Sequence, residues 1–175
     1  MKRILTICGL IIISLSFVAC GFSLRGNELI NSRFSNLQLS LSQPNSEFSR
    51  MLRRNLNVAE VSTEVISTSE EIGLASSIPV LTIGDEQISN RPVTVNARAR
   101  AAQYEMRLSI TIALDQADEM LIEPETLFID RTYFEDIENL TGNREEVEII
   151  TTEMRRELVN QLIRRLEAAD NYASQ

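Results

Sequence analysis

YEMRLSITIAL, residues 104–114, alternates between apolar and polar side chains along its whole length. The apolar positions are Tyr104, Met106, Leu108, Ile110, Ile112 and Leu114. A period of two is the pattern of a β-strand, in which successive side chains point to opposite faces of a sheet. A strand with one apolar and one polar face is typical of an antiparallel or mixed sheet that is covered on one side. The stretch therefore predicts such a sheet.

Other stretches supply further strands for this sheet. Residues 35–43, SNLQLSLSQ, alternate just as cleanly, and residues 58–68 are rich in β-branched side chains. Residues 79–88 form an apolar strand that runs into a turn, and residues 92–96 continue in extended form. Residues 125–135, ETLFIDRTYFE, are a strand with a less regular pattern. We expect a mixed or antiparallel sheet of about four strands.

Residues 47–56, EFSRMLRRNL, predict the first helix, because their apolar side chains recur every three or four residues. The apolar stripe consists of Phe48, Met51, Leu52 and Leu56. Three arginines fall mainly outside this stripe: Arg50, Arg53 and Arg54. We expect Asn45 or Ser46 to cap the N-terminus of this helix.

A second, longer helix is predicted from about Arg144 to Ala169. Its apolar stripe consists of Val147, Ile150, Met154, Leu158, Leu162 and Leu166. Thr141 or Asn143 is the expected cap, and the first turn is expected to hold three glutamates, Glu145, Glu146 and Glu148. Both helices need an apolar surface, which the strands offer on one face. The sequence therefore predicts an α+β fold, a two-layer sandwich with two helices on one face of the sheet.

The N-terminus has the pattern of a secretory signal peptide. Lys2 and Arg3 precede 16 apolar or small residues, 4–19, which are fewer than the roughly 20 that a membrane-spanning helix needs. We expect residues 1–19 to be removed and residues 20–175 to form a single domain.

Cys20 is the expected lipid-carrying residue of the mature chain. Residues 17–20, FVAC, resemble the bacterial lipoprotein box, in which the cysteine receives acyl chains. The next residue is Gly21 rather than the aspartate that resembles an inner-membrane retention signal, so we expect a lipid anchor in the outer membrane, on its periplasmic face. The alternative is an ordinary secreted protein with a chance cysteine.

The composition restricts the chemistry that is open to this chain. The 25 acidic and 15 basic residues that follow position 19 give a net charge of −10, which makes nonspecific nucleic-acid binding unlikely. The chain has no histidine, so it has neither a Ser–His or Cys–His pair nor an imidazole-based zinc site. We expect no metal and no cofactor. A two-carboxylate hydrolase stays formally open, with its pair drawn from Asp130, Glu135, Asp136 and Glu138.

Several segments, in order, resemble the LptE family of lipopolysaccharide-assembly lipoproteins. CGFSLRG (20–26) is similar to the start of the mature family members, and residues 48–56 are similar to their first helix. Residues 102–114 resemble the central strand of the family, and residues 131–166 resemble its last strand, loop and helix. The resemblance implies a non-enzymatic outer-membrane lipoprotein that plugs an LptD-like β-barrel, helps it to assemble and binds lipopolysaccharide.

The resemblance also implies where these contacts lie. Basic residues in two loops, Arg98 with Arg100 and then Arg144, are the expected partners of lipopolysaccharide phosphates, because guanidinium groups bind phosphate in a bidentate way. The expected contacts with the barrel are Arg131, Tyr133 and Phe134. Only one of the two adjacent aromatic residues can face the core of a regular strand, which leaves the other for the partner. A generic lipoprotein adaptor for another envelope complex is the alternative function.

Overall fold

The computed structural model describes residues 34–66, 77–95, 101–117, 119–135 and 140–169. These residues form one α+β unit, as the sequence predicts, with two helices on one side of a mixed sheet. The elements follow in the order β1 (Asn36–Leu41), α1 (Glu47–Val58), β2 (Ser62–Ile66), β3 (Val80–Ile83), β4 (Gln87–Val95), β5 (Ala101–Gln116), β6 (Glu119–Phe134) and α2 (Leu140–Ala168).

The sheet has six strands within the described part of the chain, rather than about four. Strands β2, β1 and β3 are parallel neighbours, and β3 pairs antiparallel with β5. The two strands with the weakest sequence pattern, β2 and β4, lie at edges of the sheet. All nine residues of β4 are exposed, so its sequence shows no alternation of apolar and polar residues. Pro92 suits an edge strand because it lacks a backbone N–H donor.

Strand β5, which contains YEMRLSITIAL, is the centre of the sheet. Strand β6 pairs with one of its edges over almost its whole length, from Gln116 opposite Glu119 to Gln103 opposite Phe134. The other edge of β5 is shared by β3 and β4. Because β5 has 16 residues, it is about 50 Å long, and its first nine residues form with β4 and β6 a three-stranded extension of about 30 Å beyond β3.

A single apolar core fills the space between the helices and the sheet. The core residues of the strands include Leu37, Leu39, Leu81, Met106, Leu108, Ile110, Ile112 and Leu114. The core residues of the helices include Phe48, Leu52, Leu56, Met154, Leu158 and Leu162. Each such side chain contributes about 1.5–3 kcal/mol by its removal from water, so the alternation in β5 and the helical stripes together determine which faces meet.

Helix α1 begins and ends with recognisable caps. Ser46 is its N-cap, as the sequence predicts, and its hydroxyl accepts a hydrogen bond from the Ser49 amide at 3.1 Å. At the other end, the Val61 amide donates to the Leu56 carbonyl and the Glu60 amide donates to the Asn57 carbonyl, each at 3.0 Å. This is the Schellman arrangement, and it turns the chain directly into β2.

Helix α2 begins earlier than the sequence pattern predicts. Its first residue is Leu140, so Thr141 and Asn143 lie inside the helix and are not its caps, and the three glutamates lie beyond its first turn. The predicted start near Arg144 was wrong because it rested only on the apolar residues from Val147 onward. Thr141 and Asn143 have helix propensities low enough to favour a boundary but not to prevent a helix from including them.

Candidate functional site

The described residues of the predicted contact site lie near one end of the sheet, which we call the hairpin end. Strands β4 and β5 meet there, with Val95 paired to Ala101, and β6 ends there, with Phe134 paired to Gln103. Helix α2 begins five residues after β6 ends, at Leu140. Antiparallel pairing thus brings segments from distant parts of the sequence to the same end.

Three of the predicted site residues lie outside the described residues. Cys20 precedes the first described residue, Phe34. Arg98 and Arg100 belong to the stretch 96–100 that connects β4 to β5, and the residues on both sides of this stretch, Val95 and Ala101, lie at the hairpin end.

The two adjacent aromatic residues of β6 point to opposite faces of the sheet. Tyr133 is only 8% exposed and stacks on Tyr104 of β5, with ring centroids 5.6 Å apart. Burial raises the pKa of the Tyr133 phenol, while a hydrogen bond to Glu135 raises that of Tyr104. Phe134 is 67% exposed and lies on the face away from the helices. Phe134 is therefore the member of the pair that can meet another molecule.

The two described arginines of the predicted site differ in their surroundings. Arg131 lies on the helix side of β6 and forms an ion pair with Glu157 of α2. Arg144 is exposed in the second turn of α2, and no carboxylate in the described part of the chain forms an ion pair with it. Arg131 thus helps to hold α2 on the sheet, whereas the guanidinium of Arg144 is turned to solvent.

The sheet face opposite the helices, which we call the outer face, carries a charged row near the hairpin end. Arg107 donates to both carboxylate oxygens of Asp130 at 2.7 Å, and its guanidinium carbon lies 4.5 Å from the centroid of the Phe128 ring. Arg91 pairs with Glu105 at 2.7 Å on the same face. Phe128 and Phe134 are both exposed on this face, so aromatic and charged groups alternate across it.

Among the carboxylates that a hydrolase could use, Asp130 does not suit the role of a general acid. Both oxygens of Asp130 are held by Arg107, and this hydrogen bonding keeps the pKa of Asp130 below its ordinary value. A general acid needs the opposite shift, a raised pKa that keeps the proton on at neutral pH. Asp136 and Glu138 lie outside the described residues.

The described residues contain neither a metal-binding cluster nor a helix suited to span a membrane. No group of three or more acidic or cysteine side chains there is arranged to hold a metal ion. Neither described helix combines the length and the apolar character that crossing a membrane would require.

Two clusters of charged side chains were not predicted from the sequence, one around Arg155 and one on α1. Arg155 of α2 donates to Glu86, which follows β3, and to Glu47 in the first turn of α1. The other cluster consists of Arg50, Arg53 and Arg54, which line a groove on the exposed side of α1. The spacing of three and four residues between these arginines was a signal in the sequence for the second cluster. The Arg155 network joins residues that are far apart in the sequence, so it could be identified only from the folded structure.

Similar proteins of known sequence are LPS-assembly lipoproteins. The chain is 29% identical over 156 residues to the "LPS-assembly lipoprotein LptE" of Photorhabdus laumondii, a match that covers 89% of this chain and 81% of the relative. It is 26% identical over 147 residues to the protein of the same name from Pectobacterium atrosepticum, covering 84% of this chain and 76% of the relative.

Solved structures with a similar fold are also bacterial lipoproteins. Rare lipoprotein B from Shewanella oneidensis superimposes with a TM-score of 0.68 at 18% identity and covers 80% of this chain and 99% of its own. Lipoprotein B from Nitrosomonas europaea superimposes with a TM-score of 0.59 at 19% identity, over 86% of this chain and 93% of its own.

The model of one protein family, described as "LptE: Lipopolysaccharide-assembly", matches residues 34–166. This range begins at the first described residue and runs from β1 almost to the end of α2, so it includes the whole sheet, both helices and the hairpin end. The chain therefore belongs to the LptE family.

Proposed function

We propose that this protein is a non-enzymatic subunit of lipopolysaccharide assembly, which binds lipopolysaccharide at its hairpin end and a β-barrel partner on the same part of the molecule. The observation that carries the proposal is the convergence of the candidate residues. Val95 and Ala101, which flank the stretch that contains Arg98 and Arg100, lie at one end of the sheet together with Phe134 at the end of β6, and α2, which carries Arg144, follows β6 in the chain.

Lipopolysaccharide suits this end of the molecule as a ligand because it carries phosphate groups. Arg98 and Arg100 belong to the connection between β4 and β5, and Arg144 belongs to the second turn of α2, in a chain whose residues after position 19 have a net charge of −10. Guanidinium groups are always charged and bind phosphate oxygens in a bidentate way, so a local basic cluster attracts phosphate even in an acidic protein.

The barrel partner is proposed to meet the outer face near Phe134. Interfaces are enriched in aromatic residues, and Phe134 with Phe128 offers two exposed rings on one face, about 20 Å apart along β6. Tyr133 supports this surface from the core side through its stacking on Tyr104. Arg131, half exposed in its ion pair with Glu157, borders the same end.

The proposed place of action is the periplasmic face of the outer membrane. Cys20 would carry the acyl chains, and two or more such chains hold a protein stably at a membrane where one does not. The 13 residues between Cys20 and Phe34 would connect the anchor to the domain.

The experiment that tests lipopolysaccharide binding is a titration of the protein with purified lipopolysaccharide. The double variant Arg98→Asp/Arg100→Asp is expected to bind at least about tenfold more weakly, because it replaces attraction to phosphate by repulsion. The control variant Arg156→Asp/Arg164→Asp changes the net charge equally on the exposed side of α2 and should bind within about twofold of the wild type. Equal affinity of the first variant and the wild type would contradict the site.

A further inference from the structure

Helix α1 carries three arginines on one exposed side. Positions 50, 53 and 54 are separated by three and four residues, so their side chains are neighbours on the helix surface. Together with Val58 and Thr63 they line a groove of about 760 Å³. Like charges at this spacing repel one another, and no acidic side chain in the described ranges forms an ion pair with any of the three. Their arrangement therefore favours an anion from outside.

Arg53 is the most constrained of these arginines. Its side chain is half-buried, its Nη2 makes one long hydrogen bond of 3.5 Å to the Pro44 carbonyl, and its buried Nε has no hydrogen-bond acceptor in the described part of the chain. Glu47 also borders the groove, but its carboxylate is held by Arg155 at 2.6 Å. The groove thus contains a guanidinium with a buried donor that no side chain of the described residues accepts from.

The C-terminal end of the groove, with Val58 and Thr63, lies at the base of the domain, by which we mean Phe34, the start of β1 and the turn between α1 and β2. From this base the groove runs along α1 as far as Glu47 in its first turn. The Ser62 amide, just after this turn, donates to the Ser35 carbonyl at 2.9 Å, so the C-terminal end of α1 is held beside the first described residues. The base is opposite the hairpin end, because β1 is parallel to β3 and β3 is antiparallel to β5. The segment that leads to Cys20 joins the domain at this base.

Val58 gives the groove an apolar rim. Its side chain is 80% exposed at the last position of α1, next to the arginine cluster and close to the base. A row of guanidinium groups with an apolar side chain at its edge matches the boundary of a lipid leaflet, where phosphates and acyl chains meet.

We propose that Arg50, Arg53 and Arg54 form a binding site for the phosphates of anionic phospholipid headgroups, which holds the base of the domain against a lipid leaflet. The inference rests on the proposed lipoprotein function, because a lipid anchor at Cys20 brings the base close to that leaflet. The cluster then orients the anchored domain, with its hairpin end directed away from the lipid surface.

The test is cosedimentation of the chain from residue 20 onward, with Cys20→Ser to remove the anchor, with lipid vesicles. One set of vesicles contains equal parts of phosphatidylcholine and phosphatidylglycerol, and the other contains phosphatidylcholine alone. Binding is expected only to the first set and should weaken as salt is added, because salt screens charges at a surface. Equal binding to both sets of vesicles would overturn the proposal.

The cluster itself is tested with two variants that remove the same charge. Arg50→Gln/Arg54→Gln is expected to bind the anionic vesicles about 25-fold more weakly, because each basic residue near such a surface contributes a factor of about five. Arg156→Gln/Arg164→Gln, two exposed arginines of α2, should bind within about twofold of the unsubstituted chain. An equal loss in both variants, or a loss in neither, would overturn the site.

A third arm separates phospholipid from lipopolysaccharide. The α1 variant should retain its affinity for lipopolysaccharide micelles, since their proposed site lies at the hairpin end. A variant that binds anionic vesicles normally but has lost lipopolysaccharide would overturn the phospholipid site. If instead no form of the chain binds lipopolysaccharide, the proposed function fails while the vesicle result stands on its own.

Discussion

Glu60 adopts a left-handed backbone conformation, with φ of 60°, in the turn that ends α1. It occupies the position after the C-cap, where glycine is preferred because a Cβ atom is strained at positive φ. The turn is nevertheless kept, because its two amide hydrogen bonds and the burial of Leu56 and Val61 fix the path into β2.

Glu60→Gly is expected to raise the free energy of unfolding by about 0.5–1 kcal/mol, since removal of the strain exceeds the added freedom of glycine in the unfolded chain. Urea unfolding followed by circular dichroism measures this change. Glu60→Ala is the control, because it removes the carboxylate but keeps the Cβ, and it should show no such gain. Equal gains in both variants would show that the side chain, and not the backbone, is responsible.

Asp130 gives the molecule an acid-sensitive contact. The hydrogen bonds from Arg107 hold the pKa of Asp130 below its ordinary value near 3.8, so the folded state prefers the charged carboxylate. The contribution of this group to stability is therefore fully present above about pH 4 and is lost as the pH falls through the lowered pKa.

Asp130→Asn should lower the urea midpoint at neutral pH, and its difference from the wild type should shrink steadily below about pH 4. Unfolding curves recorded at several pH values measure this dependence. Glu123→Gln, which changes an exposed carboxylate of the same strand, should show a much smaller difference at neutral pH. A deficit of Asp130→Asn that is the same at every pH would contradict the assignment.

At the scale of single residues, the sequence predicted the direction in which side chains point better than it predicted the residues that they contact. Alternation along β6 was enough to state that Tyr133 and Phe134 point to opposite faces, but not which of them is buried. The partner of Arg107 could not be read from the sequence, because Asp130 lies 23 residues away and meets it only through the register of β5 and β6.

At the scale of elements, Arg155 ties three parts of the fold together. It is 18% exposed, binds Glu86 through Nε and Nη2, and binds Glu47 through Nη1 at 2.6 Å. Glu86 is only 10% exposed, so the hydrogen bonds from Arg155 compensate for the removal of its carboxylate from water. The hydrogen bonds to both glutamates raise the pKa of Arg155, which stays charged at every pH at which the protein is folded.

Arg155→Ala is expected to lower the free energy of unfolding by about 2–3 kcal/mol, because Glu86 is left without a partner. This loss is somewhat smaller than the loss for a fully buried ion pair. Chemical denaturation measures the change. Arg156→Ala, at the exposed neighbouring position, should stay within about 0.5 kcal/mol of the wild type. If Arg155→Ala also stays within that range, the network has no role in joining α2 to α1 and the sheet.

The elements that the sequence predicted well are those whose burial is one-sided. Strands β1 and β5 and helix α1 each bury a regular set of apolar residues, so the period of the pattern identified them. The local pattern did not identify the bounds of β4, because this strand buries no residue. It did not identify the first residue of α2 either, because the residues there favour helix caps.

At the scale of the whole molecule, family membership confirms the prediction of a non-enzymatic lipopolysaccharide-assembly lipoprotein. The fold supplies the framework for this role, with a core that is closed between helices and sheet and a three-stranded extension that ends in the candidate site. The site could be predicted only from the resemblance to the family. Composition and periodicity identify the buried and exposed faces of an element, but they do not identify the ligands that bind there.

Adjacent residues of β6 allow a matched test of the proposed partner surface. Phe134→Ala should leave the free energy of unfolding within about 0.5 kcal/mol of the wild type, whereas Tyr133→Ala, at a buried position, should lower it by about 3 kcal/mol. Copurification of the barrel from outer membranes should fall in Phe134→Ala although this variant is stably folded. Undiminished copurification would remove Phe134 from the interface.

The most direct measurement is affinity purification of the full protein from outer membranes, followed by mass spectrometry of the chain and of everything bound to it. The account predicts acyl chains on Cys20 and a large β-barrel protein that copurifies together with lipopolysaccharide. An unmodified Cys20 thiol, or a purified chain accompanied by neither a barrel protein nor lipopolysaccharide, would contradict it.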